Sequence, residues 1–166
     1  MMNCFDKSIC AAFTGHRAIG QDAAARLPQI LDRQLTALYG EGYRVFYNGG
    51  AYGFDLIAAE AVLRLRETHP DVRLILALPG AGQTERWNRE NRERYEVVFA
   101  AADEKQYPAG ASTIVSRETY LQRDRYMIDQ ASVCICYLTT LRGGTLYTVN
   151  YANQTGVRVI NVAFAE

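Results

Sequence analysis

The sequence predicts an α/β fold: a single Rossmann-like, doubly wound domain with a mainly parallel sheet and helices on both faces. Short apolar runs alternate along the chain with longer segments in which apolar residues recur every three or four positions. Most of the short runs are apolar nearly throughout, which is typical of strands buried on both faces of a parallel sheet. A chain of 166 residues can form one autonomous core, so residues 1–166 are expected to be a single domain.

The predicted strands are short runs rich in branched, aromatic or small apolar residues. The first, ICAAFT, precedes a glycine turn; the second is YRVFY, and the third is closed by Pro79. A short fourth strand precedes a loop with proline and glycine, and VCICYL and VRVINV are the last two. The six strands are predicted at 9–14, 43–47, 72–78, 103–107, 133–138 and 157–162.

The predicted helices lie between these strands. The first contains Pro28, so it either begins later than Asp22 or is kinked. The second stops before Pro70, and the third contains the run ERWNRENRERYE, whose mixed charges are typical of a solvated helix face. The five helices are predicted at 22–39, 54–68, 85–101, 117–131 and 146–154.

Composition excludes several classes of protein. Hydrophobic residues make up 49% of the chain, and 18 basic residues balance 18 acidic ones, which excludes intrinsic disorder. A general nucleic-acid binder is disfavoured because neutralising phosphates requires a basic excess. The chain has neither a membrane-length apolar stretch nor a signal-peptide pattern, so we expect a cytoplasmic protein without a membrane partner.

The cysteines predict neither disulfides nor a metal site. Cys134 and Cys136 are two residues apart in an apolar run, and no Cys/His cluster with ligand spacing is present. We interpret these residues, with Cys4 and Cys10, as buried small hydrophobes. No structural zinc is expected.

Four polar loops follow predicted strands, and parallel strands bring such loops to one edge of the sheet. They begin at Thr14, Asn48, Pro79 and Thr139. Two of them contain glycines directly before a helix, where backbone amides could hold a phosphate. The alternative is that both are ordinary tight turns. Neither G-x-G-x-x-G nor a Walker loop is present, which argues against an ordinary dinucleotide dehydrogenase or a P-loop ATPase.

Several side chains near these loops are candidates for ligand contacts. Arg17 could fork onto a phosphate or carboxylate, and the adjacent His16 could donate a hydrogen bond or cap the turn. Asp55 could accept from ribose hydroxyls or cap the glycine loop. Trp87 could stack on a base or anchor a core or interface.

These motifs together resemble the YpsA-like branch of the SLOG superfamily, which also contains LOG phosphoribohydrolases, DprA and molybdenum-cofactor carrier proteins. The matching segments are TGHR, NGGAYGFDLIAAE, ERWNRENRERYE, YLQRDRYMIDQASVCICYL and GGTLYTVNYA. The resemblance implies a Rossmann-like domain that binds a nucleotide or nucleotide-derived ligand, with no further cofactor established. The implied ligand-binding positions are Gly15, His16, Arg17, Asn48, Gly49, Gly50, Gly53, Asp55, Arg123, Asp129, Gly143, Gly144 and Thr145. For Arg123 and Asp129, a solvated helix face is the alternative.

One departure from the family pattern bears on catalysis. LOG enzymes carry P-G-G-x-G-T-x-x-E, whereas this chain reads RGGTLYT, with Thr148 in the position of the glutamate. A threonine hydroxyl cannot replace a carboxylate as acid or base, so a sensor or regulatory module is the leading hypothesis. The alternatives are a LOG-like N-glycosidic or phosphoribosyl hydrolase, using Asp55 or Glu60, and a single-stranded DNA-binding module. The 11 tyrosines are compatible with a homo-oligomer.

Overall fold

A computed structural model of the chain describes residues 5–165, which contain one six-stranded, all-parallel sheet. The strand order is β4-β3-β2-β1-β5-β6. The strands are β1 (Cys10–Gly15), β2 (Val45–Asn48), β3 (Arg73–Ala77), β4 (Glu104–Gln106), β5 (Val133–Tyr137) and β6 (Arg158–Asn161).

Five α-helices connect these strands and cover both faces of the sheet, so the predicted α/β fold is confirmed. They are α1 (Gln21–Gly40), α2 (Phe54–Thr68), α3 (Arg89–Ala101), α4 (Arg117–Gln130) and α5 (Gly143–Gln154). Helices α1 to α3 pack on one face, where Phe13 and Phe46 join leucines of α1 in one core. Helices α4 and α5 pack on the other, where Met127 and Val149 contact the opposite side of the strands.

The path of the chain creates a switch point between β1 and β5. From β1 the chain proceeds outward through β2 and β3 to β4, and then returns to place β5 on the other side of β1. Parallel crossovers are right-handed, so reversing the direction moves the following helices to the opposite face. The loops after β1 and β5 therefore diverge at the carboxyl edge, which is where open α/β sheets bind ligands.

The cysteines that the structure describes lie in the core on the α4–α5 side of the sheet. Cys10, Cys134 and Cys136 are all fully buried and unpaired. Burial raises the pKa of the Cys136 thiol to about 12, so this thiol stays neutral. These three residues are small hydrophobes, as predicted, whereas Cys4 lies outside the described residues.

Three helix starts differ from the sequence prediction. Helix α1 begins at Gln21 with Pro28 in its interior, so the interpretation that it begins later was wrong; its buried leucines outweigh the lost hydrogen bond. Helix α3 begins only at Arg89, because the Asn88 side chain accepts from the Asn91 amide and caps it there. Helix α5 begins three residues earlier than predicted, at Gly143.

Within residues 5–165, none of the helices has the length and apolar character that a membrane span requires. In the same residues, no three His, Cys, Asp or Glu side chains come together in a way that could hold a metal ion.

Candidate functional site

A cavity of about 490 Å³ opens at the switch point, between the loop after β1, helix α4 and the first turn of α5. Its volume falls within the range of about 300–1,000 Å³ that is typical of small-molecule sites. The lining residues are Phe13, Thr14, Gly15, His16, Arg17, Ala51, Asp55, Arg117, Tyr120, Leu121, Arg123, Asp124, Met127, Arg142, Gly143, Gly144, Thr145 and Tyr147.

The first turn of α5 presents open backbone to this cavity. The positive φ of Gly143, 84°, turns the chain from the extended Arg142 into the helix. The first amides of an α-helix have no intrahelical acceptor, and no side chain caps α5. A Cβ atom on Gly143 or Gly144 would meet nothing within 4 Å, so this turn is accessible. Its free amides and the helix dipole create a positive region at the cavity edge.

Three arginines add positive charge around this turn. Arg17, Arg117 and Arg142 all line the cavity and are exposed at the surface. Among residues 5–165, none of the three forms a salt bridge with a carboxylate. Their charges are therefore not neutralised within the described part of the chain, and an anion would be attracted to this part of the cavity.

Asp55 is a buried carboxyl group with one unpartnered oxygen. It lies in the first turn of α2 and is only 6% exposed, yet it borders the cavity. Its Oδ2 accepts from the Ala51 amide at 3.3 Å, while Oδ1 has no hydrogen-bond partner in the described part of the chain. Burial raises the pKa of Asp55 to about 6, although the nearby Arg123 guanidinium acts in the opposite direction. A buried acceptor without a donor costs about 1–3 kcal/mol, which a donor supplied by a ligand would relieve.

Arg123 links α4 to the sheet through hydrogen bonds. Its side chain is buried; Nε donates to Asp124 Oδ1 at 2.7 Å, and Nη1 donates to the carbonyl oxygens of Gly49 at 2.6 Å and Ala77 at 3.2 Å. A Cβ atom on Gly49 would lie 2.6 Å from that Nη1, so the close approach requires glycine. The solvated-face alternative is wrong for Arg123, because its donors satisfy the carboxyl ends of β2 and β3.

The glycine loop after β2 is closed by its own hydrogen bonds. The Gly50 amide donates to Asn48 Oδ1 at 2.8 Å, and Asn48 Nδ2 donates to the Asp55 carbonyl at 2.8 Å. Gly53 has a φ of 81°, and a Cβ atom there would lie 2.3 Å from the Arg17 carbonyl oxygen. The sequence predicted phosphate contacts at the Gly49 and Gly50 amides, but the Gly50 amide is taken by Asn48 in a tight turn. Of the two glycine turns, the one before α5 is the open one.

His16 holds the loop that precedes α5. Its Nε2 accepts from the Thr139 amide at 3.0 Å and lies 3.4 Å from the Thr140 amide nitrogen. Accepting these bonds requires an unprotonated Nε2, and burial lowers the pKa of His16 in agreement with a neutral ring. The sequence predicted either a donated hydrogen bond or a cap on the turn that contains His16, whereas the ring caps the loop after β5 instead.

The structure brings together eight of the thirteen residues predicted to form the site. Those lining the cavity are Gly15, His16, Arg17, Asp55, Arg123, Gly143, Gly144 and Thr145. Those outside its lining are Asn48, Gly49, Gly50, Gly53 and Asp129. The first four form the tight turn beneath Arg123. Asp129 is exposed and accepts from the Tyr151 hydroxyl at 2.7 Å, between α4 and α5.

Sequence reasoning identified Arg123 as the contribution of α4 to the cavity wall but missed the rest of that helix face. The lining residues that it did not single out include Arg117, Tyr120, Leu121, Met127 and Tyr147. Most recur on α4 at spacings of three or four, the spacing of residues on one helix face. That spacing was a usable signal, but the charged residues on the same helix concealed it.

Three other candidates have structural partners. Glu60 forms a salt bridge with Arg94 of α3 and does not line the cavity. The Thr148 hydroxyl donates to the Gly144 carbonyl oxygen at 2.8 Å, within α5. Trp87 precedes α3 and packs edge-to-face against Tyr52, with ring centroids 5.2 Å apart. It is therefore mostly buried, as the core interpretation predicted.

Fold and cavity together define a Rossmann-like α/β domain whose candidate site lies at the topological switch point. The family model for YpsA, described as the YspA SLOG family, matches residues 14–159. The chain therefore belongs to this SLOG family, and the resemblance found in its motifs is confirmed.

UPF0398 proteins of bacilli and related bacteria are among the curated relatives of this chain. One from Halalkalibacterium halodurans is 34% identical over 77 residues, which cover 46% of this chain and 41% of that protein. One from Bacillus velezensis is 26% identical over 133 residues, or 80% of this chain and 72% of that protein. The alignment with the first of these spans about two fifths of the relative's length.

Solved structures of DNA processing protein A (DprA) share the fold. The protein from Streptococcus pneumoniae superposes with a TM-score of 0.65 at 18% identity, over 92% of this chain and 50% of that one. The protein from Helicobacter pylori is described as having a unique single-stranded DNA binding mode. It superposes with a TM-score of 0.65 at 19% identity, over 92% of this chain and 64% of that one. At these identities the similarity shows the fold alone.

Proposed function

We propose that this chain binds a nucleotide or nucleotide-derived ligand in the switch-point cavity and acts as a cytoplasmic sensor or regulatory module. One observation carries the proposal: the open first turn of α5, with unpaired arginines around it, shares a single cavity with the unpartnered carboxyl oxygen of Asp55. The first group suits a phosphate and the second suits a hydroxyl donor. A phosphorylated ribose carries both.

The phosphate is assigned to the α5 end of the cavity. Free amides at a helix N-terminus donate to phosphate oxygens, and the helix dipole favours the negative charge. Arg142 adjoins this turn in sequence, and Arg17 and Arg117 line the same cavity. Guanidinium groups bind phosphate through two parallel hydrogen bonds, so these residues compensate the charge.

The ribose is assigned to Asp55. With a pKa of about 6, the carboxyl group is mostly ionised at neutral pH and acts as an acceptor. A ribose hydroxyl that donates to Oδ1 supplies the bond this atom lacks in the described residues. The same bond stabilises the ionised form of Asp55, so ligand binding is expected to lower its pKa.

A LOG-like hydrolase is the second candidate, and the pKa of Asp55 is the observation that favours it. A carboxyl group with a pKa of about 6 can exchange protons near neutral pH, as a general acid or base must. Against this, the Thr148 hydroxyl is engaged with the backbone of α5, and Glu60 is paired with Arg94 away from the cavity. Regulatory binding therefore stays the first proposal.

Native mass spectrometry of the freshly purified protein, followed by calorimetric titration with AMP, ADP, ADP-ribose, NAD and cyclic dinucleotides, tests the proposal. We expect at least one of them to bind, and Asp55→Asn to weaken its binding at least tenfold. Asp129→Asn is the matched control, because that carboxylate lies outside the cavity. Absence of binding by the folded protein contradicts the proposal.

Two further measurements separate the alternatives. Release of free base from the bound nucleotide, measured by chromatography and lost in Asp55→Asn, identifies the hydrolase. Salt-dependent binding of a single-stranded oligonucleotide, with no response to mononucleotides, identifies a nucleic-acid-binding module like the structural neighbour from Helicobacter pylori. The balance of 18 basic and 18 acidic residues leads us to expect weak oligonucleotide binding.

A further inference from the structure

A second cavity, of about 670 Å³, lies next to the first. It is bounded by the loop after β3 and by the loop that leads into α4. Arg17 and Tyr120 line both cavities, so the two spaces meet at these side chains. The function proposed above uses only the first space.

A buried glutamine amide borders the second cavity with an unused acceptor. Gln83 is only 4% exposed, and its Nε2 donates to the Gly49 and Gly50 carbonyl oxygens at 3.2 and 3.4 Å. These bonds fix the orientation of the amide, and its Oε1 has no hydrogen-bond partner among residues 5–165. A buried amide oxygen without a donor is unusual in proteins, and a ligand N–H or O–H would satisfy it.

The two loops that form the walls of the second cavity are held together by backbone contacts. The Ala81 amide donates to the Ser112 carbonyl oxygen at 2.7 Å, joining the two loops. A Cβ atom on Gly82 would lie 1.9 Å from the Thr113 carbonyl oxygen, so the loops approach as closely as glycine permits. The aromatic side chains of Trp87 and Tyr52 and the aliphatic side chain of Val115 contribute apolar surface to its lining.

Arg17 stands where the two cavities meet. Its guanidinium carbon lies 5.3 Å from the centre of the Tyr52 ring and 5.0 Å from the centre of the Tyr120 ring. Cation–π contacts hold a guanidinium group without using its N–H donors. Within residues 5–165, Arg17 has no salt bridge, so those donors are available to an anion between the two cavities.

We propose that the second cavity holds the second nucleoside unit of a dinucleotide-type ligand, whose linking phosphates lie at Arg17. This inference rests on the proposed function, because the first unit occupies the switch-point cavity. The second base lies against the aromatic wall and donates an N–H to Gln83 Oε1. A mononucleotide fills only the first cavity and leaves this oxygen without a donor.

Calorimetric titration with AMP, NAD and diadenosine diphosphate compares one unit with two. We expect both dinucleotides to bind at least tenfold more tightly than AMP. Gln83→Met keeps the size of the side chain but removes the acceptor, so it should abolish this advantage and leave AMP affinity within twofold. Ile114→Trp enlarges a residue at the exposed rim of the second cavity and should have the same effect. Val97→Trp is the matched control on an exposed apolar residue outside both cavities.

Each outcome decides the inference. Equal affinities for AMP and both dinucleotides overturn it and leave the proposed function intact. An advantage that persists in Ile114→Trp also overturns it, and this variant decides the matter if Gln83→Met does not fold. Tighter binding of an oligothymidylate than of either dinucleotide overturns it in favour of a nucleic-acid groove. If none of the nucleotides binds, the proposed function fails together with the inference.

Discussion

Replacing Asp55 with asparagine should stabilise the unliganded protein at neutral pH while weakening its binding of a ribonucleotide. The carboxyl group is buried, and one of its oxygens has no partner. Burial raises its pKa from the ordinary value of 3.8 to about 6, so the folded protein resists ionisation of this group. The asparagine amide carries no charge and can still accept the Ala51 hydrogen bond.

The sign and size of the effect follow from the two pKa values. In the unfolded chain Asp55 ionises near 3.8, and in the folded protein near 6, so the folded state binds more protons between these values. The stability of the wild type therefore falls as pH rises through this window, by about 3 kcal/mol in total. About half of this loss is present at pH 5, and all of it at pH 8.

Urea unfolding of wild type and Asp55→Asn at pH 5 and pH 8 measures the difference directly. The asparagine Nδ2 takes the place of the unpartnered oxygen and adds its own cost, which is the same at both pH values. The stability difference between the variant and the wild type should therefore be more favourable to the variant at pH 8 than at pH 5, by about 1.4 kcal/mol. Asp129→Asn, in an exposed position, is the control.

An equal stability difference at both pH values would refute the reasoning, because it would mean that Asp55 ionises alike in the folded and unfolded chain. A stability difference that becomes less favourable to the variant as pH rises would also refute it. If the stability result holds but ligand affinity is unchanged, the carboxyl group is buried for a reason other than ribose binding.

Three further substitutions test other parts of the structure. Arg17→Ala should lower affinity for AMP at least tenfold and leave affinity for adenosine unchanged, since a hydrogen bond to a charged group is worth about 1.5–3 kcal/mol. An equal loss for both ligands in calorimetry would contradict the assignment. Gly53→Ala should cost at least about 2 kcal/mol of stability, because the new Cβ would meet the Arg17 carbonyl oxygen and the residue has a positive φ. The control is Gly40→Ala, whose Cβ would meet nothing within 4 Å; it should leave thermal unfolding unchanged. Arg123→Ala should cost about 3–5 kcal/mol in urea unfolding by leaving a buried carboxylate and two carbonyl oxygens without their donor; a loss confined to ligand affinity would contradict that role.

The order and type of the helices and strands were predictable because they follow from hydrophobic periodicity, which is local. Strand β5 and helix α2 were predicted correctly, because their apolar residues recur with the period and over the length typical of a strand and of a helix. Helix starts depend on a few hydrogen bonds, so they were less predictable. Helix α3 begins at Arg89 because Asn88 caps it, although the charged run with helical composition already starts at Glu85.

The amino-acid sequence by itself determined the alternation of strands and helices, and with it the convergence of the polar loops at one sheet edge. Only the tertiary structure decided which glycine turn is open. The turn after β2 is closed because Arg123, 74 residues away from Gly49 in the chain, packs onto it and takes its carbonyl oxygen. Within residues 5–165 the turn before α5 has no such partner, and its glycines line the cavity. Periodicity reports which residues are buried, whereas the availability of a backbone amide depends on what packs over it from distant parts of the chain.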